Sequence, residues 1–354
     1  MAMHQLALWE EYQEPDRRGI VDDLLPLDDY DFYHVSCSTG KDSVAMLLDL
    51  IDRGVDKKKI LLVHQEVDGR REAFMDWPCT PSYMTSLAKH LGVKLSWQWR
   101  DGGIRTEMLK HDSVSAGVYY QDEGEEPVYL PTTNRATKNT RLMWPAKSGN
   151  MRKRWCSSSA KIETHKRYIT NHPMFQTGTR ENPVKILVLT GERRQESSNR
   201  AKYFEAEVHG TSSLTRIVHQ YRSVIDWTED QVWAKLREHN IMPHPAYYLG
   251  VFGRVSCMTC IFLGPDHWAV LRYIAPERFK AIADMEKRLN HTIDPRMTVE
   301  EAADRGSLDA FNRIPNKDYW VKMALSDSIT VEDIRMDPWV IPEGAYKGCV
   351  GGPT

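Results

Sequence analysis

The sequence predicts an α/β protein, a mostly parallel twisted sheet with helices on both faces and a helical C-terminal region. Three observations predict it. Short apolar runs alternate with helix-period segments through the first hundred residues, which is the pattern of strands joined by helical crossovers. The most strand-like run of the chain, Val184 to Thr190, restarts that pattern after an irregular stretch. From Trp227 onward the periodicity is helical.

Taken in order, Asp31 to Cys37 reads as a strand and Val44 to Ile51 as a helix that stops at Arg53-Gly54. Lys59 to Val67 is a second strand, Pro81 to Leu91 a second helix, and Lys94 to Trp99 a third strand. Between Asp101 and Asn150 the pattern lapses into Gly102-Gly103, an acidic run from Asp122 to Pro127 and a Thr/Asn/Arg stretch, read as an insertion or loops. Helices are expected over Glu229 to Asn240, His267 to Ile274 and Pro276 to Leu289. The expected division is a nucleotide-binding α/β domain over 1–260, with a basic insertion around 101–167, followed by a helical region and tail over 261–354.

Composition narrows the class. A chain of 354 residues with 41% apolar content can bury a sizeable core, which excludes disordered and fibrous proteins. No run approaches the roughly 18 apolar residues of a membrane span, and acidic residues interrupt the start, so a soluble cytoplasmic protein is expected. Six cysteines are too few to staple a chain this long, and no disulfide is predicted. Net charge is −2, yet Asn134 to Arg167 carries ten Lys or Arg against Glu163 alone, a local +9 that leaves −11 elsewhere. With Trp144 and Trp155 inside it, that segment reads as a polyphosphate or nucleic-acid surface; an isolated charge run would be a solvated face.

The turn after the first strand is Ser38-Thr39-Gly40-Lys41-Asp42-Ser43. Small residues let backbone N–H groups crowd an anion, the helix N-terminus adds a positive dipole, and the hydroxyls and Lys41 add donors. A Walker A loop is excluded, because its first glycine would be Val35 and Asp42 follows the lysine. A carboxylate so close to phosphates makes sense if it orients Mg²⁺ or a water. An ordinary capped helix would also use Ser and Asp. Three arginines and a serine follow the best strand in Gly191-Glu192-Arg193-Arg194-Gln195-Glu196-Ser197, continuing to Arg200, where an α/β sheet binds ligands. In Cys257-Met258-Thr259-Cys260 two thiols share a turn suited to one metal, and Cys156 is a third candidate ligand.

These strings resemble a known family. The loop resembles the S-G-G-x-D-S signature of PP-loop ATP pyrophosphatases, with Thr39 in place of the first glycine. Gly191 to Ala201 resembles G-x-R-x-x-E-S-x-x-R-A of the phosphoadenosine phosphosulfate (PAPS) reductase family. Arg154-Trp155-Cys156 with Lys161-Ile162, the Tyr221 to Trp233 stretch and His239 to Tyr247 resemble further blocks of it, in order, over about two thirds of the chain.

The resemblance implies a PP-loop, Rossmann-like fold binding ATP or PAPS with Mg²⁺. It implies sulfur-linked chemistry, either sulfonucleotide reduction or adenylation of an acceptor for sulfur transfer, with a thioredoxin-type or sulfur-donor partner. Lys41, Asp42, Ser43 and Cys349 would be catalytic. Nucleotide-binding residues would be Ser38, Thr39, Gly40, Lys41, Ser43, Glu66, Asp68, Gly191, Arg193, Ser197 and Arg200. Cys156, Cys257 and Cys260 would hold a 4Fe–4S cluster, with Zn²⁺ or a metal-free thiol pair as alternatives. Reductases of the family carry a nucleophilic cysteine on the C-terminal tail, where this chain has Cys349, but the surrounding tail motif and the Cys-Cys doublet are missing. The other reading is a nucleic-acid-binding protein that keeps the fold without turnover.

Overall fold

A computed structural model describes residues 24–148 and 153–347. Eight strands form one sheet: β1 (Phe32–Ser36), β2 (Ile60–Glu66), β3 (Lys94–Arg100), β4 (Val118–Asp122), β5 (Val128–Leu130), β6 (Val184–Leu189), β7 (Ala206–Val208) and β8 (Arg216–Tyr221). Their order is β5-β4-β3-β2-β1-β6-β8-β7. The centre, β3-β2-β1-β6-β8, is parallel, and β4, β5 and β7 add antiparallel edges.

Central strands buried on both faces favour apolar residues, and Val35 of β1 shows how they are used. Val35 is fully buried and pairs with Leu62 of β2 on one side and Leu189 of β6 on the other. The chain leaves β1 toward β2 and β3, and later returns to place β6 on its opposite side. That reversal puts the topological switch point between β1 and β6, where open α/β sheets form their ligand crevice.

The helices are α1 (Lys41–Asp52), α2 (Thr80–Leu91), α3 (Gly103–Met108), α4 (Trp155–Ser157), α5 (Glu163–Asn171), α6 (Glu229–Glu238), α7 (Pro265–Ile274), α8 (Pro276–Leu289), α9 (Val299–Arg305), α10 (Asp309–Asn312), α11 (Lys317–Leu325) and α12 (Val331–Ile334). A π-helical turn over Ser158–Ile162 joins α4 to α5. Helices after residue 260 share the core of the sheet: Trp268, Phe279 and Ile282 belong to the same buried cluster as Val35 and Leu62. None of the helices is long and apolar enough to cross a membrane.

Among the differences from the sequence expectation, two shape the sheet. The acidic run at Asp122 to Pro127 is the turn of the β4–β5 hairpin, which extends the sheet through antiparallel pairing with β3. β8, an interior parallel strand, was not foreseen, because Arg216, His219 and Gln220 break its apolar pattern. Each finds a partner inside: the Arg216 guanidinium donates to Thr211 O and Gln176 Oε1, and His219 meets the Tyr30 hydroxyl at 2.7 Å.

The basic segment is divided by the fold. Arg135 and Lys138 are exposed, whereas Arg141 donates to buried Glu107 at 2.7 Å and lies 4.2 Å over the Trp155 ring. Trp144 and Trp155 are buried, so the aromatic component of the nucleic-acid reading lies in the core rather than on a stacking surface. Lys161 and Lys166 turn to the cleft described next.

Candidate functional site

A cleft of about 650 Å³ opens at the carboxyl ends of β1, β2 and β6. Along one wall run Ser38, Gly40, Asp42 and Ser43, and along another Gly191, Glu196 and Arg200. Cys156, Cys257 and Cys260 line the same cleft, together with Asp76, Lys161 and Arg254. The phosphate loop, the arginine segment and the cysteine turn, 220 residues apart in sequence, therefore share one space.

Close backbone approach explains two of the glycines. A Cβ on Gly191 would stand 3.0 Å from Ser43 N, and one on Gly40 would stand 2.9 Å from Val255 O. The loop is thus clamped between the end of β6 and the segment that leads into the cysteines. Tyr247 adds a third hold, its hydroxyl accepting from Lys41 N at 2.9 Å and Val255 N at 3.3 Å.

Thr39 occupies the left-handed region, φ +63°. A β-branched residue there costs roughly 1–3 kcal/mol, and the signature's glycine would not. Thr39→Gly is accordingly expected to stabilise the fold by about 1 kcal/mol, after about 0.4–1 kcal/mol of added unfolded-state entropy. Chemical denaturation checks it; a destabilised variant would show that the Thr39 hydroxyl contact to Ser38 O matters more than the backbone.

Lys41 does not line the cleft. Its buried ammonium donates to Gly253 O at 3.1 Å, pairs with Glu229 at 3.4 Å and Asp42 at 3.6 Å, and lies near the Trp233 and Tyr247 rings. Arg193 is likewise withdrawn: buried, it donates from Nε to Asp42 Oδ1 at 2.5 Å and from Nη1 to Gln195 and Trp227 O. Both cations serve Asp42. Burial alone would raise that carboxyl, but Lys41 and Arg193 outweigh it and hold Asp42 below the usual carboxylate range.

Glu66 and Asp68 also face inward. Glu66 accepts from the backbone N–H of Asp68 and Arg70, and Asp68 accepts from those of Phe74, Met75 and Asp76. They brace the loop after β2, and the residues this loop presents to the cleft are Gln65, Val67, Met75 and Asp76. Ser197 accepts from Arg200 N at 3.3 Å and supports the turn. Arg200 reaches the cleft paired with Glu196; burial and then repulsion from Arg254 bring its pKa down to about 10.

Two cations that sequence reading did not assign stand out. Among the described residues Lys161 forms no hydrogen bond or ion pair, and Arg254 lies 5.6 Å over the Phe262 ring, close enough for its charge to act on Asp42 and Arg200. Lys161 was visible as part of a family block, while Arg254 gave no signal beyond preceding the cysteines. Burial works against the Lys161 charge, yet Cys257, Asp76, Cys156 and Cys260 around it raise its pKa. Burial pushes the Cys257 thiol well above its usual value and Cys156 up to about 11.

Soft thiol donors, none of them in a disulfide, suit an iron–sulfur cluster or zinc. Among the described residues, the one set of three such ligand atoms mutually within 4.8 Å is Asp52, Glu238 and His239, an exposed group already paired with Lys235 and with itself. The three cysteine sulfurs are thus spread wider than the roughly 4 Å of thiolates on one zinc ion. Cys349 lies outside the described residues; Lys347 packs its carbonyl against Gly253, beside Arg254.

Residues 127–262 match the phosphoadenosine phosphosulfate reductase domain family, so the resemblance read from the sequence is borne out. That span holds the arginine segment and the cysteines, while the phosphate loop lies before it. The chain is 26% identical over 263 residues to a 37.8 kDa protein of Escherichia phage 186, described as uncharacterized, covering 72% of this chain and 74% of that protein. Two solved structures of Candida glabrata FMN adenylyltransferase, one with FMN and an ATP analog and one with FAD and pyrophosphate, are 8% and 9% identical over 64% and 65% of this chain. Their TM-scores are 0.34, and the chain spans little more than half of their length, 55% and 56%. The fold assignment rests on the strand order itself.

Proposed function

We propose that the chain is a PP-loop enzyme that binds ATP or PAPS in this cleft and carries out sulfur-linked chemistry, foremost the adenylation of an acceptor so that sulfur displaces AMP. The observation that carries this reading is the shared cleft: a phosphate loop and three thiols open onto one space at the switch point of the sheet. Ser38, Gly40 and Ser43 bind the phosphates through N–H and hydroxyl donors. Asp42, fixed by Arg193, orients Mg²⁺, which would supply neutralisation of the pyrophosphate as it leaves. Arg200, Arg254 and Lys161 face the developing charge. A centre held by Cys156, Cys257 and Cys260 would supply sulfur or electrons, and three thiol donors suit a four-iron cluster.

Sulfonucleotide reduction is the second reading. It is supported by the match of residues 127–262 to the phosphoadenosine phosphosulfate reductase domain family. Incubation with ATP and Mg²⁺ is expected to yield AMP and pyrophosphate. Sulfite from PAPS with reduced thioredoxin, and no AMP from ATP, would replace the first reading by the second. Neither product would sink both.

A further inference from the structure

We propose that Asp76 is the fourth protein ligand of the centre held by Cys156, Cys257 and Cys260, making a carboxylate-capped four-iron site at the end of the nucleotide cleft. The proposal rests on the cluster reading above. Its starting point is an asymmetry in one carboxylate. Asp76 Oδ1 is satisfied, accepting from Trp77 N at 2.8 Å and from the Thr80 hydroxyl at 3.3 Å. Oδ2 has no hydrogen-bond donor among the described residues; its ion-pair partner among them is His64 Nε2, at 3.8 Å. That imidazole nitrogen is itself buried without a hydrogen bond, its ring being held from the other side by Nδ1 at 2.9 Å from Cys37 O. One oxygen of a partly buried side chain that lines the cleft thus has no hydrogen-bond donor among the described residues and is open to a ligand role.

Position completes the argument. The loop carrying Asp76 is bound to the cysteine turn: Thr259 N donates to Met75 O at 3.1 Å, and the Thr259 hydroxyl reaches Phe74 O and Met75 Sδ. From α8, Arg278 ties Asp76 O to Met258 Sδ, joining both segments to the helical region. Asp68 fixes the backbone of Phe74, Met75 and Asp76, so the carboxylate is aimed by a preorganised turn. Cys257, Asp76, Cys156 and Cys260 line the cleft with Lys161, and theirs are the charges that act on it, three thiols and this one carboxylate. The same four donors would hold a cluster with Lys161 in the same cleft.

Anaerobic reconstitution of the full chain with iron and sulfide tests it, read by iron content, electron paramagnetic resonance and reduction potential. Wild type is expected to retain about four irons through mild oxidation. Asp76→Asn, nearly isosteric, should lose one iron and give a three-iron signal. Asp76→Cys should restore the iron and shift the potential. If Asp76→Asn matched wild type in iron content, spectrum and potential, the carboxylate ligand would be wrong while the three-cysteine centre stood. Iron uptake by Cys257→Ser equal to wild type, or no uptake by wild type, would remove the centre itself and the proposal with it.

Discussion

Asp42→Asn is expected to lower AMP and pyrophosphate formation by about a hundredfold or more, the usual cost of removing one preorganised charge from a site of phosphoryl chemistry. The geometry also changes what Asp42→Ala should do. The sequence alone suggests an exposed cradle whose loss spares the fold, but Asp42 neutralises two buried cations, Arg193 at 2.5 Å and Lys41 at 3.6 Å. Removing one partner of a buried pair costs about 3–5 kcal/mol, so the alanine variant should unfold at markedly lower denaturant. Arg193→Ala should do the same and cost turnover through Asp42 rather than through a lost nucleotide contact. A double-mutant cycle separates these effects. Coupling of about 2 kcal/mol or more is expected for so close a pair; additive losses in both stability and turnover would show that Arg193 acts elsewhere.

Acidification should unfold the protein near pH 5. Burial brings the pKa of His165 and His244 down to about 3 and that of His209 and His267 down to about 4, from an ordinary 6.5. All four are buried, and His34, at 3.2 Å from His165, is likewise held well below its ordinary value by burial and neighbouring imidazoles. For a depressed pKa the unfolded chain binds the proton first, so the stability contribution is complete above pH 6.5 and is lost as pH falls toward the folded values. At pH 5 each of the four contributes a loss of about 2 kcal/mol, on the order of 8 kcal/mol together, comparable with the whole stability of a typical domain. Glu66, Asp68 and Glu286 run the other way, because burial raises their pKa and their protonation favours the fold as pH falls. Circular dichroism against pH checks the balance; a fold unchanged down to pH 4 would show that these histidines accept protons in place.

How much of this was legible in sequence depends on whether a residue's role is local. β1, α1, β2, α2 and β3 were legible because apolar period and turn residues act over a few positions, and α8 ran from Pro276 to Leu289 as expected. β8 was not, since its polar residues are satisfied by Phe175, Gln176 and Tyr30 from distant elements and by Thr211 of the turn before it. The same limit governs the site. Ser38, Gly40, Asp42, Ser43, Arg200 and the three cysteines, which the fold brings to one cleft, could be named because small residues, guanidinium groups and thiols announce their chemistry. Glu66 and Asp68 carry the same carboxylates as a ligand-binding pair, yet backbone N–H groups a few residues later consume them. What they hold in place is Asp76, whose neighbourhood with Cys257 spans 181 positions and exists only after folding.

Hydrogen exchange with and without ATP and Mg²⁺, repeated with PAPS, tests most directly that this cleft is the nucleotide site. Slowed exchange is predicted together at 38–44, 190–200 and 254–261, the three segments that meet there, and Asp42→Asn should weaken it at all three. No protection by either nucleotide, or protection confined to the separate cavity between Trp144 and α8, would contradict the assignment.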